Sequence, residues 1–211
     1  MGIAALSLVR MISQYGGDIA LSAFGIGQRI LVFSAMPSMV LGQAMQPILG
    51  FNYGAKRFRN AIKTITLSLS IAGGFGLAVL VLLVAFPEPI IRIFTSDPDL
   101  VVVATNAARL LFLSLPLFSI FNVGQMVFPS VGKVLPTLIV STVPPLLFLA
   151  PLALLLPVYL GVNGVWLAFP GSDALGFILV LSFVIPLVKK FRKEDAEKDS
   201  PNKYAEPVPQ P

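Results

Sequence analysis

Long, almost uncharged apolar stretches constrain the fold of this chain more than any other feature. The last of them runs from Val162 to Val188 and holds one charged residue, Asp173, in 27 positions. About 20 apolar residues in a helix are enough to cross the hydrocarbon core of a bilayer. Charged residues make up 12% of the 211 residues, about half of the usual share in soluble domains. The sequence therefore predicts an all-α membrane protein, a polytopic bundle of transmembrane helices.

The apolar stretches divide the chain into a transmembrane bundle, residues 1–188, and a tail, residues 189–211. Five spans are predicted, at 19–50, 61–86, 100–128, 137–156 and 162–188. The segment Gly2 to Tyr15 is apolar but short, which predicts half of a helix or an interfacial segment. The tail beyond Val188 is charged and rich in proline, and is predicted to be disordered.

Three features within the spans predict local geometry. A proline, Pro116, lies inside span 100–128 and predicts a break there. The cluster Gly73-Gly74-Phe75-Gly76, in the middle of span 61–86, predicts close approach of a second helix. Span 19–50 exceeds the length that a straight crossing needs, so it should tilt, kink at Pro37 or project from the bilayer.

Loop charge alternates along the chain. The loops at 52–63 and 129–136 and the start of the tail are basic, whereas the loops at 16–18 and 87–99 are acidic. Five spans would place all of the basic segments on one side. Cytoplasmic loops carry the excess of Lys and Arg, so the sequence predicts a multi-pass protein of the cytoplasmic membrane with a cytoplasmic C-terminus. The same reasoning explains the net charge of +5 without a nucleic-acid partner.

Missing residue types exclude several classes of site. The sequence contains no cysteine and no histidine, which excludes disulfides, thiolate or histidine metal sites and a Ser-His-Asp triad. It also lacks a phosphate-binding loop and a nucleotide fingerprint. We therefore predict neither an enzyme nor a bound cofactor or metal, and any proton chemistry must use carboxylates, Tyr, Lys or water.

Asp173 is the leading functional candidate, because carboxylates deep in membrane helices usually serve ion or substrate pathways. Pro170 cannot donate to the carbonyl of Trp166, and Gly171 would let the chain bend, which predicts a broken helix with free oxygens beside an anion. The alternative is a kinked span in which Asp173 pairs with a basic or hydroxyl group. Arg29 and Arg109 are predicted to snorkel to the outer interface, and pairing with Asp173 is the alternative for them.

Uncharged polar residues inside the spans are candidates for a wet cavity. In span 19–50 these are Gln28, Gln43 and Gln46, and in span 100–128 they are Ser114, Asn122 and Gln125. Gln43 and Gln46 share one helix face, and the three in span 100–128 share another. Hydrogen bonds between helices are an equally good explanation for such residues.

A specific motif adds a family resemblance. The stretch Gln46-Pro-Ile-Leu-Gly-Phe-Asn-Tyr-Gly-Ala-Lys-Arg57 resembles the eighth helix and following loop of the multidrug and toxic compound extrusion (MATE) transporters. The segment from Asp18 to Arg29 before it, and Gly164-Val-Trp-Leu-Ala-Phe-Pro170 with Asp173 after it, resemble the same family in the same order.

The resemblance implies two six-helix halves, of which this chain is the second, beginning inside helix seven. An N-terminal six-helix half would then be the missing partner, besides membrane lipid. The resemblance also implies export of cationic and amphipathic drug-like compounds against Na⁺ or H⁺ by alternating access. Some branches place a carboxylate in helix ten where this chain has Asn122. Other branches use acidic residues of the first half for coupling.

Three further interpretations stay open at this stage. The chain could be a non-transporting fragment or a split-gene subunit that assembles with a separate half. It could be a lipid-linked oligosaccharide flippase of the related superfamily. A membrane enzyme is disfavoured because the sequence offers no nucleophile–base pair.

Overall fold

The structure is a computed structural model that describes residues 2–199 and the side chains of residues 9–197. The described part is a bundle of helices without β-strands. Its elements are α1 (Gly2–Gly54), α2 (Phe58–Ala85), α3 (Pro87–Ile91), α4 (Pro98–Leu111), α5 (Leu115–Gln125), α6 (Val127–Ser130), α7 (Val134–Val143), a π-helical segment (Pro144–Leu149), α8 (Ala150–Leu160) and α9 (Val162–Asp199).

The helix lengths fit a membrane bundle. Among the described residues, four helical stretches are long and apolar enough to cross a bilayer, and α4 with α5–α6 forms a fifth that is bent by 55°. The four are Val9–Gly54, Phe58–Ala85, Val134–Leu160 and Val162–Glu197. The predicted all-α transmembrane fold is confirmed.

The first helix contains a sharp joint. Gly17 has φ 65° and ψ −165°, a non-helical conformation that joins two helical pieces within α1. Only glycine adopts such angles without strain, so the predicted end of the first segment at Gly16-Gly17 coincides with this joint. The second piece continues through Pro37 and Pro47 and ends at Gly54, beyond the bound predicted at residue 50.

The break in span 100–128 lies about one turn earlier than the sequence suggests. The helical run stops after Leu111, and α5 begins at Leu115 with Pro116 in its first turn. Proline is tolerated in the first turn of a helix, because the N–H that it lacks has no intrahelical partner there. The break therefore comprises residues 112–114, and the prediction of a break at Pro116 itself is corrected.

The predicted break of the last span at Pro170 is wrong. Helix α9 continues from Val162 to Asp199 with Pro170 and Pro186 inside it. Proline removes one hydrogen bond from a helix interior, and neighbouring helices in a bundle can compensate for it. Other helices pack closely along this stretch of α9, because a Cβ on Gly171 would lie 3.2 Å from Leu152 and one on Gly176 would lie 3.3 Å from Phe121.

The basic segments of the chain meet at one end of the bundle, which we call the basic end. The ring of Phe191 lies 5.4 Å from that of Tyr53 and 5.5 Å from that of Phe58. The loop after α6 is also there, since a Cβ on Gly50 would lie 3.2 Å from the carbonyl oxygen of Ser130. The loops that were predicted to share a side thus do so.

The start of the tail is helical, which corrects the prediction of disorder for residues 189–199. Two ion pairs at i,i+4 spacing, Lys190–Glu194 at 3.5 Å and Lys193–Glu197 at 3.8 Å, support the extended helix. Phe191 anchors it, because that ring is buried among aromatic side chains at the basic end. Residues 200–211 of the predicted tail lie outside the described residues.

The interior consists of two apolar clusters with a polar layer between them. In α9, Val165, Trp166 and Ala168 belong to one cluster, and the other contains Val180, Val184, Leu187 and Phe191. Among the described residues there are five buried serines, of which Ser38, Ser119 and Ser172 lie at the intermediate level and Ser114 lies at the edge of the first cluster, between Phe112 and Leu115. Asp173 lies in the same layer, so the fold gathers its buried polar groups at mid-depth.

Candidate functional site

The centre of the polar layer is a hydrogen bond from the break between α4 and α5 to helix α9. The hydroxyl of Ser114 donates to Oδ2 of Asp173 across 2.5 Å. Ser114 is 3% exposed, and its partner is 59 residues away in the sequence. A carboxylate in an apolar interior needs a hydrogen-bonding partner, and this hydroxyl supplies one.

The break between α4 and α5 explains why Ser114 is available. Serine at the residue before a helix often accepts a backbone N–H of the first turn, but Ser114 makes no such cap. Its hydroxyl points instead to α9. The sequence placed Ser114 on one helix face with Asn122 and Gln125, and the break separates it from them.

The residue next to Asp173 ties α9 to the π-helical segment. The hydroxyl of Ser172 donates to the carbonyl of Pro144 at 3.4 Å, and Ser172 is buried. Pro144 starts the π-helical segment, whose changed register leaves carbonyls outside the usual i→i+4 pattern. Asp173 therefore lies on a helix that is positioned by a polar contact on each of two sides.

The two arginines do not pair with Asp173. Arg29 and Arg109 are exposed, and neither makes an ion pair within the described residues. The alternative of an Arg–Asp pair is thus wrong. Asp173 is bonded to a hydroxyl group, that of Ser114, and not to a basic group.

A second polar group lies on the seam between α1 and α5. The amide of Gln46 donates to Sδ of Met126 at 2.9 Å, and Gln125 donates to Oδ1 of Asn122 at 3.4 Å. Asn122 in turn donates to the carbonyl of Phe118 at 3.0 Å. In this amide cluster (Gln46, Asn122, Gln125) the Gln46 bond joins α1 to the end of α5, the other two bonds lie within α5, and part of each side chain stays accessible.

The helices can approach at this seam because α1 carries a glycine. A Cβ on Gly42 would lie 3.1 Å from the side chain of Met126 and 3.7 Å from the carbonyl oxygen of Asn122. The neighbouring Gln43 is exposed and joins no hydrogen bond within the described residues. Its amide is therefore free to meet another molecule at the surface of α1.

Gln28 does not join either group. It is half-buried on α1, 15 residues before Gln43, and it has no side-chain hydrogen bond within residues 9–197. Fifteen residues of helix correspond to about 22 Å, so the six polar candidates do not form one pocket. The structure resolves them into the Ser114–Asp173 pair, the amide cluster and two separate glutamines.

Two buried hydroxyls that the sequence did not single out as site residues also lie in the polar layer. The Oγ atoms of Ser38 and Ser119 are buried without a partner in the described part of the chain. The hydroxyl of Ser119 faces Gly76 of α2. A Cβ on Gly76 would lie 2.7 Å from Oγ of Ser119 and 2.7 Å from the carbonyl oxygen of Leu115. The glycine cluster on α2 therefore lies opposite Ser119 of α5. The second helix that was predicted to approach this cluster closely is α5.

Comparison with known proteins supports the resemblance. The family model described as MatE matches residues 3–155. The Multidrug export protein MepA of Staphylococcus haemolyticus is 28% identical over 117 residues, which is 54% of this chain and 25% of that protein. The Probable multidrug resistance protein YoeA of Bacillus subtilis is 22% identical over 188 residues, which is 87% of this chain and 40% of that protein.

Solved structures show the same fold. A structure described as the bent conformation of MATE has a TM-score of 0.85 at 21% identity, covering 93% of this chain and 44% of that one. Outward-facing and inward-facing structures of a multidrug resistance MATE family transporter each have a TM-score of 0.83, at 20% and 19% identity. These cover 91% and 90% of this chain and 44% of each of theirs.

The chain thus spans less than half of the length of the relatives it matches. The family model nevertheless covers well over half of the chain. On this basis the chain belongs to the MatE family, the multidrug and toxic compound extrusion proteins.

Proposed function

We propose that this chain forms one half of a multidrug exporter, in which Asp173 binds the coupling cation, Na⁺ or H⁺. The relatives described as multidrug export and multidrug resistance proteins support the activity. The observation that carries the role of Asp173 is its position: the carboxylate lies between two apolar clusters, hydrogen-bonded to Ser114 at a break in the facing span.

The chemistry of the polar layer suits a small cation. Asp173 offers two carboxylate oxygens and Ser114 a hydroxyl oxygen, and hard cations such as Na⁺ prefer oxygen ligands. The same carboxylate can take up a proton. A bound Na⁺ would lie between the carboxylate and the oxygen of Ser114, which keeps its hydrogen turned away from the ion, whereas a bound proton would lie on a carboxylate oxygen of Asp173.

The transport cycle that fits this half is alternating access between two bundles. Substrate would lie between this bundle and a partner half, and the two would rock against each other. The fold matches an outward-facing and an inward-facing transporter equally well, which supports a half that moves as one body. Gln43, exposed on α1, is our candidate for a polar contact across that interface.

We place the protein in the cytoplasmic membrane with the basic end toward the cytoplasm. The support is the excess of Lys and Arg in the segments that meet there. On this orientation the drug-like substrate leaves through the opposite end of the bundle, near the joint at Gly17.

The test uses the chain together with an N-terminal half in proteoliposomes. Ethidium efflux is measured under a Na⁺ gradient and, separately, under a pH gradient. Asp173→Asn should abolish the efflux driven by the coupling cation and leave the amount of protein unchanged. Asp18→Asn is the matched control, since Asp18 is an exposed carboxyl outside the polar layer, and it should transport normally. Full efflux by Asp173→Asn would exclude the carboxylate from coupling.

A second measurement separates an exporter half from a chain that transports unaided. The chain reconstituted alone should show no gradient-driven efflux of ethidium or norfloxacin, because substrate then has no opposing wall. Efflux by the chain alone would contradict the need for a partner half.

A further inference from the structure

An apolar groove runs along the outside of the bundle, between α2 and α9. Its volume is about 480 Å³, and Ile120 of α5 lies among its lining residues. On α2 the lining residues recur every three or four positions from Ile65 to Gly73, and on α9 they recur from Phe177 to Arg192. This spacing places one stripe of each helix in the wall of the groove.

The groove has the length of one membrane leaflet. Its apolar part, from Phe177 to Val188, rises about 16 Å along α9, close to the roughly 15 Å of one leaflet of hydrocarbon. Apart from Thr66 and Ser70, its lining residues up to Val188 are apolar. The hydroxyl of Thr66 already donates to the carbonyl of Ile62 in its own helix. The inner part of the groove therefore suits a hydrocarbon chain.

The charges lie at one end. Lys189 and Arg192 are the charged lining residues, and they follow directly after the last apolar stretch of α9. Both are exposed and neither is ion-paired in the part of the chain that the structure describes. Their neighbours Lys190 and Lys193 are paired instead, with Glu194 and Glu197. The groove thus ends in two free cations at the level of the membrane surface.

The adjoining surface adds to the positive charge. A second groove shares Thr66 and Ser70 with the first and is lined by Arg59 and Lys63. One acidic group faces this region, Asp195, whose Oδ1 accepts the backbone N–H of Arg59 at 3.2 Å. Four cations therefore border the α2 surface against one carboxylate, and the mouth of the groove favours an anion.

We propose that an anionic phospholipid of the leaflet at the basic end binds here, with one acyl chain in the α2–α9 groove and its phosphate between Lys189 and Arg192. Basic pockets between transmembrane helices bind anionic headgroups by such contacts. A cationic amphipathic compound would meet repulsion at the same mouth. The proposal stands independently of the role of Asp173 and of any partner half.

Native mass spectrometry of the purified full chain tests the proposal. The probes are palmitoyl-oleoyl phosphatidylglycerol, phosphatidylcholine with the same chains, and inorganic phosphate. The wild type should retain phosphatidylglycerol in preference to phosphatidylcholine. The variant K189Q/R192Q should bind phosphatidylglycerol about 30-fold more weakly, since it loses two charges at the membrane surface. The variant K190Q/K193Q, with the same change of charge outside the groove, should bind it like the wild type.

Two further variants separate the headgroup from the chain contact. K189R/R192K keeps both charges and should retain phosphatidylglycerol, which also controls for misfolding. Ser70→Trp fills the groove and should weaken the binding of phosphatidylglycerol and of phosphatidylcholine alike. The proposal is overturned if the wild type retains both lipids equally or neither, or if both double glutamine variants lose phosphatidylglycerol to the same extent. Displacement of the lipid by inorganic phosphate would equally overturn it, because the site would then be an anion site alone.

Discussion

Asp195 caps a helix that begins 137 residues before it. Its Oδ1 accepts the backbone N–H of Arg59, the second residue of α2, at 3.2 Å. Arg57, the residue immediately before α2, makes no side-chain cap of its own. The far end of α9 thus satisfies a backbone donor that the local sequence leaves open.

Removing this cap should destabilise the bundle slightly. Asp195→Ala should cost about 1 kcal/mol, the usual effect of losing a capping side chain. Asp195→Asn keeps an acceptor oxygen and should cost less. The measurement is thermal unfolding in detergent micelles, followed by circular dichroism. Glu197→Ala removes an exposed carboxyl from the same helix and serves as the control. Equal effects of Asp195→Ala and Glu197→Ala would contradict the cap.

The Ser114–Asp173 bond should contribute measurably to stability. Ser114→Ala leaves a carboxylate without its hydroxyl partner in an apolar interior, at a cost of about 1–3 kcal/mol. Fluorescence of Trp166, the only tryptophan, reports unfolding because that ring is 2% exposed in one of the two clusters.

The control for Ser114 is Ser182→Ala. Ser182 is exposed on α9 and donates only within its own helix, to the carbonyl of Leu179 at 2.7 Å. A double variant with Asp173→Asn should show a smaller cost for Ser114→Ala than the single change does, because the two side chains are coupled. Additive costs would show that the bond contributes nothing.

Two glycines of one cluster should respond in opposite directions. Gly76→Ala places a Cβ 2.7 Å from the carbonyl oxygen of Leu115, which would force α2 away from α5 at a cost of about 1–3 kcal/mol. Gly74→Ala meets no atom within 4 Å and should stabilise the helix by about 0.5–1 kcal/mol. Midpoints of thermal unfolding measure both. A harmless Gly76→Ala would mean that the two helices are not in close contact.

Cysteine labelling can test the orientation, because the natural sequence has no cysteine to remove. Single cysteines at Ala55 and Lys193 should react with an impermeant maleimide from the same side of the membrane. A cysteine at Glu88, in α3 at the opposite end, should react from the other side. In intact cells we expect only the position at Glu88 to be labelled. Labelling of all three from outside would contradict the orientation.

The sequence predicts most of the architecture because apolar length alone decides where a chain crosses a bilayer. It predicts the joint at Gly17 for a similar reason, since only glycine fits there without strain. The prolines were misjudged. Pro116 lies in the first turn of a helix instead of breaking one, and α9 continues through Pro170 where it packs closely on the helix of Leu152. Local sequence does not reveal such packing.

The candidate site was predictable in part. The depth of Asp173 follows from its place in an apolar run, whereas its partner Ser114 lies 59 residues away and depends on how two helices pack. The helical start of the tail was missed because its charges resemble a disordered segment, although they form i,i+4 pairs and Phe191 finds aromatic neighbours. The roles of the six polar side chains and of Asp173 in binding stay predictions.

Helix α9 is continuous between two positions at which its side chains bond to other parts of the chain, at Asp173 and at Asp195. Twenty-two residues, about 33 Å of helix, separate Asp173 in the bilayer from Asp195 at the basic end. A rotation of the whole helix that parts Asp173 from Ser114 would also draw Asp195 away from Arg59. Events at the buried carboxylate and at the water-facing start of α2 are thereby mechanically linked through one continuous element.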